Sequence, residues 1–142
     1  MREFRLTRAC FGVAVVLATA IVGCAPREDA NVARVDAAEV AQDNQALDQL
    51  RLVGSNLAKP HQIEFYLYLP SEADARAAEA ALRSMGYGVT VSAGANESNW
   101  LCLASKTMVP TIQALTDARI VFKRLALTYR GAYDGWRAAI ER

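Results

Sequence analysis

His61 is the only histidine in the chain, and it follows Pro60 at the start of an alternating apolar run. General-base work needs a nucleophile or an orienting carboxylate beside the imidazole. No Ser, Cys or Asp is spaced to form a recognisable set with His61, so it reads as a solvated residue at the entry to a strand. Glu64, Asp74 and Glu79 read as solvated faces of a strand and a helix. Gly86-Tyr87-Gly88 is a helix stop followed by a strand entry, because no strand leads into it as a phosphate-binding loop requires. Cys10, Cys24 and Cys102 share no spacing that suits a zinc site. Cys102 sits in a strand-like run and reads as a small buried hydrophobe. These residues imply no catalytic residue, no metal and no cofactor, and the chain reads as a non-enzyme. A hydrolase or small-ligand binder would need a polar pocket near His61 or on an open sheet face.

Cys24 has different chemistry in view. Residues 1–8, MREFRLTR, are basic, and residues 9–23 carry no charge. A helical bilayer span needs about 20 residues, so this block is short for a permanent span and fits the apolar region of a secretory signal. Ile21, Val22 and Gly23 precede Cys24, which resembles the bacterial lipobox, where the cysteine thiol receives a lipid. The expected layout is a lipoprotein signal peptide over 1–23, a polar tether over 24–35 and one domain over 36–142. Arg2, Arg5 and Arg8 hold the N-terminus on the cytoplasmic side by the positive-inside rule, so the body emerges on the periplasmic side. Two or three acyl chains anchor firmly where one is marginal. Ala25 stands after the cysteine where an Asp would favour retention, and by resemblance to enteric lipoproteins this favours the outer membrane.

The body is ordinary in composition. The chain is 53% apolar and 22% charged, which is globular rather than disordered. Three of its sixteen basic residues and one of its fifteen acidic ones precede Cys24, leaving 13 against 14 and a net of −1. A nucleic-acid-binding surface normally needs a basic stripe, so nucleic acid is not an expected partner.

The elements that position these residues follow from periodicity. A helix begins near Asp36, with Ala37, Val40, Leu47 and Leu50 on one face, Asn44 interrupting the stripe, and Gly54 and Asn56 stopping it. Ile63, Phe65, Leu67 and Leu69 alternate with Glu64, Tyr66 and Tyr68 in a strand that Pro70 ends. Ser71 caps the next helix, whose seam is Ala75, Ala78, Leu82 and Met85 and whose stop is Gly86. A strand carrying Val89 and Val91 follows. After a turn comes another, with Leu101 and Leu103 on one face and Trp100, Cys102 and Ala104 on the other. Pro110 suits the first turn of a helix whose seam is Leu115, Ala118, Phe122, Leu125 and Tyr129. Residues 132–140 supply a last short strand or an ordered tail. Helix, then βαββαβ, predicts an α+β ferredoxin-like sandwich: an antiparallel sheet with helices on one face.

Several marks together resemble the regulator of ribonuclease activity B family. They are Lys59-Pro60 before the aromatic strand, FYLYLPSEADA at 65–75, Gly86-Tyr87 with Val89, KTMVP at 106–110 and YDGW at 133–136. The resemblance runs from about Asp43 to Trp136. It implies a ferredoxin-like sandwich and a protein-binding role, since the founding member inhibits ribonuclease E by binding it. Ribonuclease E works in the cytoplasm, so it is an expected partner only if this domain is cytoplasmic. The expectation that joins both halves of the chain is an envelope lipoprotein, membrane-bound through lipid on Cys24, with a non-catalytic domain that binds another envelope protein. The alternative is a genuine regulator of ribonuclease E. Tyr66, Tyr68, Trp100, Tyr133 and Trp136 are the candidate protein-binding surface, because aromatics are common interface anchors.

Overall fold

The computed structural model describes residues 36–95 and 98–142. The expected signal peptide, Cys24 and the tether lie outside the described residues. The elements are α1 (Ala37–Leu52), β1 (His61–Leu69), α2 (Glu72–Ser84), β2 (Gly88–Ala93), β3 (Trp100–Met108), α3 (Ile112–Thr128) and β4 (Ala132–Ala138). The four strands form one antiparallel sheet in the order β2-β3-β1-β4. This is the expected ferredoxin-like α+β sandwich. Among the described residues no helix is long and apolar enough to cross a membrane.

Strict alternation along β1 builds the core. His61, Ile63, Phe65, Leu67 and Leu69 are buried, while Gln62, Glu64, Tyr66 and Tyr68 point the other way. Register carries that division across the sheet. Phe65 faces Ala104 and Leu67 faces Cys102 on the helix side, while Tyr66 faces Leu103 and Tyr68 faces Leu101 on the open side. Helices α2 and α3 cover the inner face with Ala75, Ala78 and Leu82 from one, and Leu115, Ala118 and Phe122 from the other. The small residues of α2 let its backbone lie close to the sheet. At the centre Phe65 stacks on Phe122 at 4.8 Å, Phe122 stacks on Tyr133 at 5.4 Å, and Tyr87 meets both phenylalanines edge-on. Offset and edge-on pairs of this kind add to simple burial.

The helix starts are locally encoded. The Ser71 hydroxyl accepts the Asp74 N–H at 3.1 Å, and the Thr111 hydroxyl accepts the Ala114 N–H at 3.1 Å. Thr111, not Pro110, therefore begins α3: Pro110 is buried just before the cap. Met85 is also not part of the α2 seam. It is 45% exposed, because the helix ends at Ser84 and Gly86 turns away with φ +84°. In α1, Ala37 is exposed, and the seam position between Val40 and Leu47 is filled by buried Asp43 rather than by an apolar residue.

Both Leu82 and Phe122 have no exposed surface. Replacing Leu82 by Ala should cost about 2–5 kcal/mol and Phe122 by Ala about 3–5 kcal/mol. Denaturant unfolding of the two variants measures this, and an unchanged midpoint in both would contradict the packing.

Candidate functional site

The open face of the sheet carries two of the five aromatic residues singled out from sequence. Tyr66 and Tyr68 lie on it beside Leu101 and Leu103, all four partly buried and apart from the main core. Arg137 from β4 lies over the Tyr66 ring at 5.3 Å, and the Tyr66 hydroxyl donates to Glu64 at 3.0 Å. Burial and the Glu64 carboxylate raise the Tyr66 pKa, so the phenol stays a donor. Thr90 and Ser92 of β2 border this patch as exposed residues. The face is thus aromatic at its centre and polar around it, which is the anatomy of a protein interface.

The other three aromatics sit behind the sheet. Trp100 faces Leu69 and Ala93 at the inner end of β3, packed on the core. Tyr133 and Trp136 also face inward, and a bulge in β4 makes that possible. Positions three apart in a regular strand point to opposite faces. Here Tyr66 pairs with Gly135 while Leu67 pairs with Tyr133, so Asp134 is an extra residue. Gly135 has φ +102°, a conformation that L side chains rarely adopt. The bulge re-phases the strand and brings both Tyr133 and Trp136 to the helix side. That is the physical meaning of the YDGW run. The five residues therefore form two groups on opposite sides of the sheet, not one surface.

Behind the sheet, Trp136 enters a polar cluster. Its indole N–H donates to Asp43 Oδ1 at 2.8 Å, and Arg119 Nη2 donates to the same oxygen at 2.5 Å. Glu39 accepts from Lys123 at 2.5 Å and lies 3.5 Å from Arg119 Nη1. Burial raises the Glu39 pKa, but hydrogen bonds from Lys123 and the Asp36 N–H, with the charges of Lys123 and Arg119, outweigh it and hold the carboxyl below its usual value. Asp43 and Arg119 escaped the sequence reading because a carboxylate and a guanidinium are assigned to solvent by type. Their place in the apolar seams of α1 and α3 was the available signal.

His61 is not solvated. It is fully buried, and Ser55 stands 2.7 Å from its Nε2. Nδ1 lies 2.8 Å from the Lys59 carbonyl, which fixes the proton on Nδ1 and leaves Nε2 to accept from the Ser55 hydroxyl. A Ser–His contact is the start of a nucleophile, yet Ser55 Oγ also accepts the Glu141 N–H at 3.0 Å. The Asn56 N–H and the Lys59 ammonium donate to the carbonyls of Glu141 and Arg142. A backbone carbonyl stands where a triad would place a carboxylate, and both side chains are closed off from solvent. The pair is a latch joining the C-terminal segment to the α1–β1 connection. Cys102 is buried too, and burial, with the Glu79 charge, pushes its thiol up to about 11. Among the described residues no three His, Cys, Asp or Glu side chains gather as a metal ion would need.

Two outcomes follow. Ser55→Ala leaves His61 Nε2 and the Glu141 N–H unpaired inside the fold, and should cost about 1–3 kcal/mol by denaturant unfolding. For Glu39 the sign is set by a folded pKa below the unfolded 4.5. Its stabilisation is complete above pH 4.5 and is lost as the pH falls through the folded value. The melting-temperature gap between wild type and Glu39→Gln should therefore close on acidification; a gap that widens would contradict the ion pairing.

No curated protein matches the chain. The family model for Regulator of ribonuclease activity B matches residues 40–137, which take in α1 from its first turn through nearly all of β4. Both the inward Trp136 and its partners Asp43 and Arg119 fall inside that span. The chain belongs to the Regulator of ribonuclease activity B family.

Proposed function

We propose that the domain is a non-catalytic protein-binding module held at the bacterial membrane by lipid on Cys24, with its body on the periplasmic side and an envelope protein as its partner. The observation that supports the binding role is the open sheet face, where Tyr66, Tyr68, Leu101 and Leu103 form an aromatic and aliphatic patch outside the core. Aromatic residues in such a patch bury large area at low entropic cost, which makes them anchors. The Ser55–His61 pair, the one contact with catalytic form among the described residues, is sealed and already fully bonded. The address rests on the basic start, the uncharged block over residues 9–23 and Ile21-Val22-Gly23 ahead of Cys24.

The family match over residues 40–137 favours a second reading, in which the domain regulates ribonuclease E in the cytoplasm. The two exclude each other in a cell, because the membrane separates the periplasm from that enzyme.

Globomycin, which blocks the lipoprotein signal peptidase, should make a heavier precursor accumulate, and Cys24→Ser should release the protein from the membrane fraction. A photo-cross-linker at Tyr68 should then capture an envelope protein, and Tyr66→Ala should weaken that capture without lowering the melting temperature by more than a few degrees. An unlipidated protein whose overexpression stabilises ribonuclease E substrates would replace this proposal with the second reading.

A further inference from the structure

Strand β2 stands at one end of the sheet order, so among the described residues one of its long sides has no neighbouring strand. Two contacts fix which backbone groups point to that side. The Gly94 N–H donates to the Asn99 carbonyl at 2.8 Å, which makes Gly94 and Asn99 a hydrogen-bonded pair of the β2–β3 ladder. Such pairs recur at every second residue. The register runs unbroken from Gly88–Ser105 to Ala93–Trp100. The N–H and C=O groups of Gly88, Thr90 and Ser92 therefore turn toward β3, and those of Val89, Val91 and Ala93 turn outward. The Val89 carbonyl accepts Arg83 Nη2 of α2 at 3.0 Å, which agrees with that phase. Among the described residues the other outward groups of these three residues have no partner.

An unpaired edge templates another strand unless charge, a bulge or proline blunts it. At the other end of the sheet β4 is blunted: it carries the Asp134 bulge, Gly135 at φ +102° and the charged Arg137. β2 has none of these. Gly88-Val89-Thr90-Val91-Ser92-Ala93 holds no charge, no proline and no bulge. The strand also matches itself. Set antiparallel to a second β2 about a two-fold axis through Val91, it places Val91 opposite Val91, Val89 opposite Ala93 and Thr90 opposite Ser92. The valine and alanine pairs are the hydrogen-bonded ones, and every outward N–H and C=O of the strand finds a partner in them. Arg83 keeps its place, because the Val89 carbonyl has a second lone pair. The two Arg83 side chains do not meet: their Val89 partners stand about 14 Å apart along the strand, at about 3.4 Å per residue. Thr90 and Ser92 meet on the open face, where hydroxyl pairs are favourable and no like charges oppose. With β4 blunted, pairing through β2 closes at two copies and does not propagate.

We propose that two copies of this chain join edge to edge through β2 and make one continuous antiparallel sheet. Val91, half-buried in one copy, is covered by its counterpart in the other. Thr90 and Ser92 border the Tyr66 patch, so the open faces of the two copies run together across the junction. The contact draws no residue from Cys24 or from the Tyr66–Tyr68 patch, so it stands independently of the reading proposed for them.

The test is cross-linking of the purified full chain with copper phenanthroline as oxidant, read as a reducible dimer band above that of the parent chain. A disulfide needs Cα atoms about 4.4–6.8 Å apart. Directly opposed residues of an antiparallel pair meet that, at about 5.5 Å when hydrogen-bonded and about 4.5 Å when not. Residues offset by two stand about 7–8 Å apart and do not. Val91→Cys should therefore cross-link with itself. Thr90→Cys and Ser92→Cys should each stay at the parent's level alone and give a dimer when mixed. Adding Thr90→Lys and Ser92→Lys to the Val91→Cys chain sets like charges opposite each other and should remove the band. Both positions are exposed, so the melting temperature should stay within a few degrees. No dimer from Val91→Cys, a band from Thr90→Cys or Ser92→Cys alone as strong as from their mixture, or a band that survives the lysines in a folded chain would overturn the proposal. So would Val91→Cys capturing a different protein in place of a second copy when intact cells are oxidised, which would give the edge to a partner's strand.

Discussion

The Asp43 carboxylate is the constraint around which this fold is arranged. It comes from α1, which lies outside the two-layer sandwich, and it receives Arg119 of α3 and Trp136 of β4 on a single oxygen. Three elements distant in sequence meet at that atom. The apolar stripe of α1 is weak, with Leu47 its one buried large side chain, so hydrophobic burial alone holds it poorly. A buried ion pair is not by itself strong evidence of stability, since desolvation offsets much of the attraction. What it supplies here is position: α1 satisfies the carboxylate in one register along α3 and at one distance from β4. The β4 bulge is part of the same constraint. Without the extra Asp134 and the positive-φ Gly135, Tyr133 and Trp136 could not both face inward, and Asp43 would lose its indole donor.

Much of the fold was legible because it rests on period. Ile63, Phe65, Leu67 and Leu69 alternate without interruption, and Ala75, Ala78 and Leu82 recur at helical spacing, so β1 and α2 follow from hydrophobic pattern. Ser71 and Gly86 mark the ends of α2 by residue type. What pattern cannot carry is a polar residue used against type. Asp43 and Arg119 drew no reading from pattern, since charged residues by type belong to solvent, and Ser55 went unpaired with His61 although only six residues separate them, because a turn serine reads as turn material. Tyr133 and Trp136, expected on a protein-binding surface with Tyr66 and Tyr68, instead face the core. The alternation that assigns strand faces is inverted between them by one residue, and that inversion is a property of backbone geometry at Asp134-Gly135. Met85 and Pro110 were misplaced by one or two positions, at helix ends where pattern is weakest.

The two sides of the sheet divide the functional possibilities. The open side presents Tyr66 and Tyr68 among Leu101, Leu103 and the stacked Arg137, the surface we propose for contact with another protein. The covered side ends at its β4 edge in a balanced polar cluster with a cavity beside it. Ser55 and Cys102, the residues with nucleophilic atoms in the core, are buried and bonded or held protonated. Membership of a regulator family fits a domain whose chemistry lies in recognition, while the N-terminal residues bear on which compartment that recognition takes place in.

The claim that one carboxylate ties α1 to the sandwich is tested most directly by a double-mutant cycle between Asp43→Ala and Arg119→Ala, read by denaturant unfolding. Each single variant strands a buried charge and should cost about 3–5 kcal/mol. The double variant strands neither, so its cost should fall short of the sum by at least about 1 kcal/mol, within the range for residues in direct contact. Costs that add to within about 0.5 kcal/mol, as for independent sites, would contradict the account and leave α1 held by Leu47 and its apolar neighbours alone.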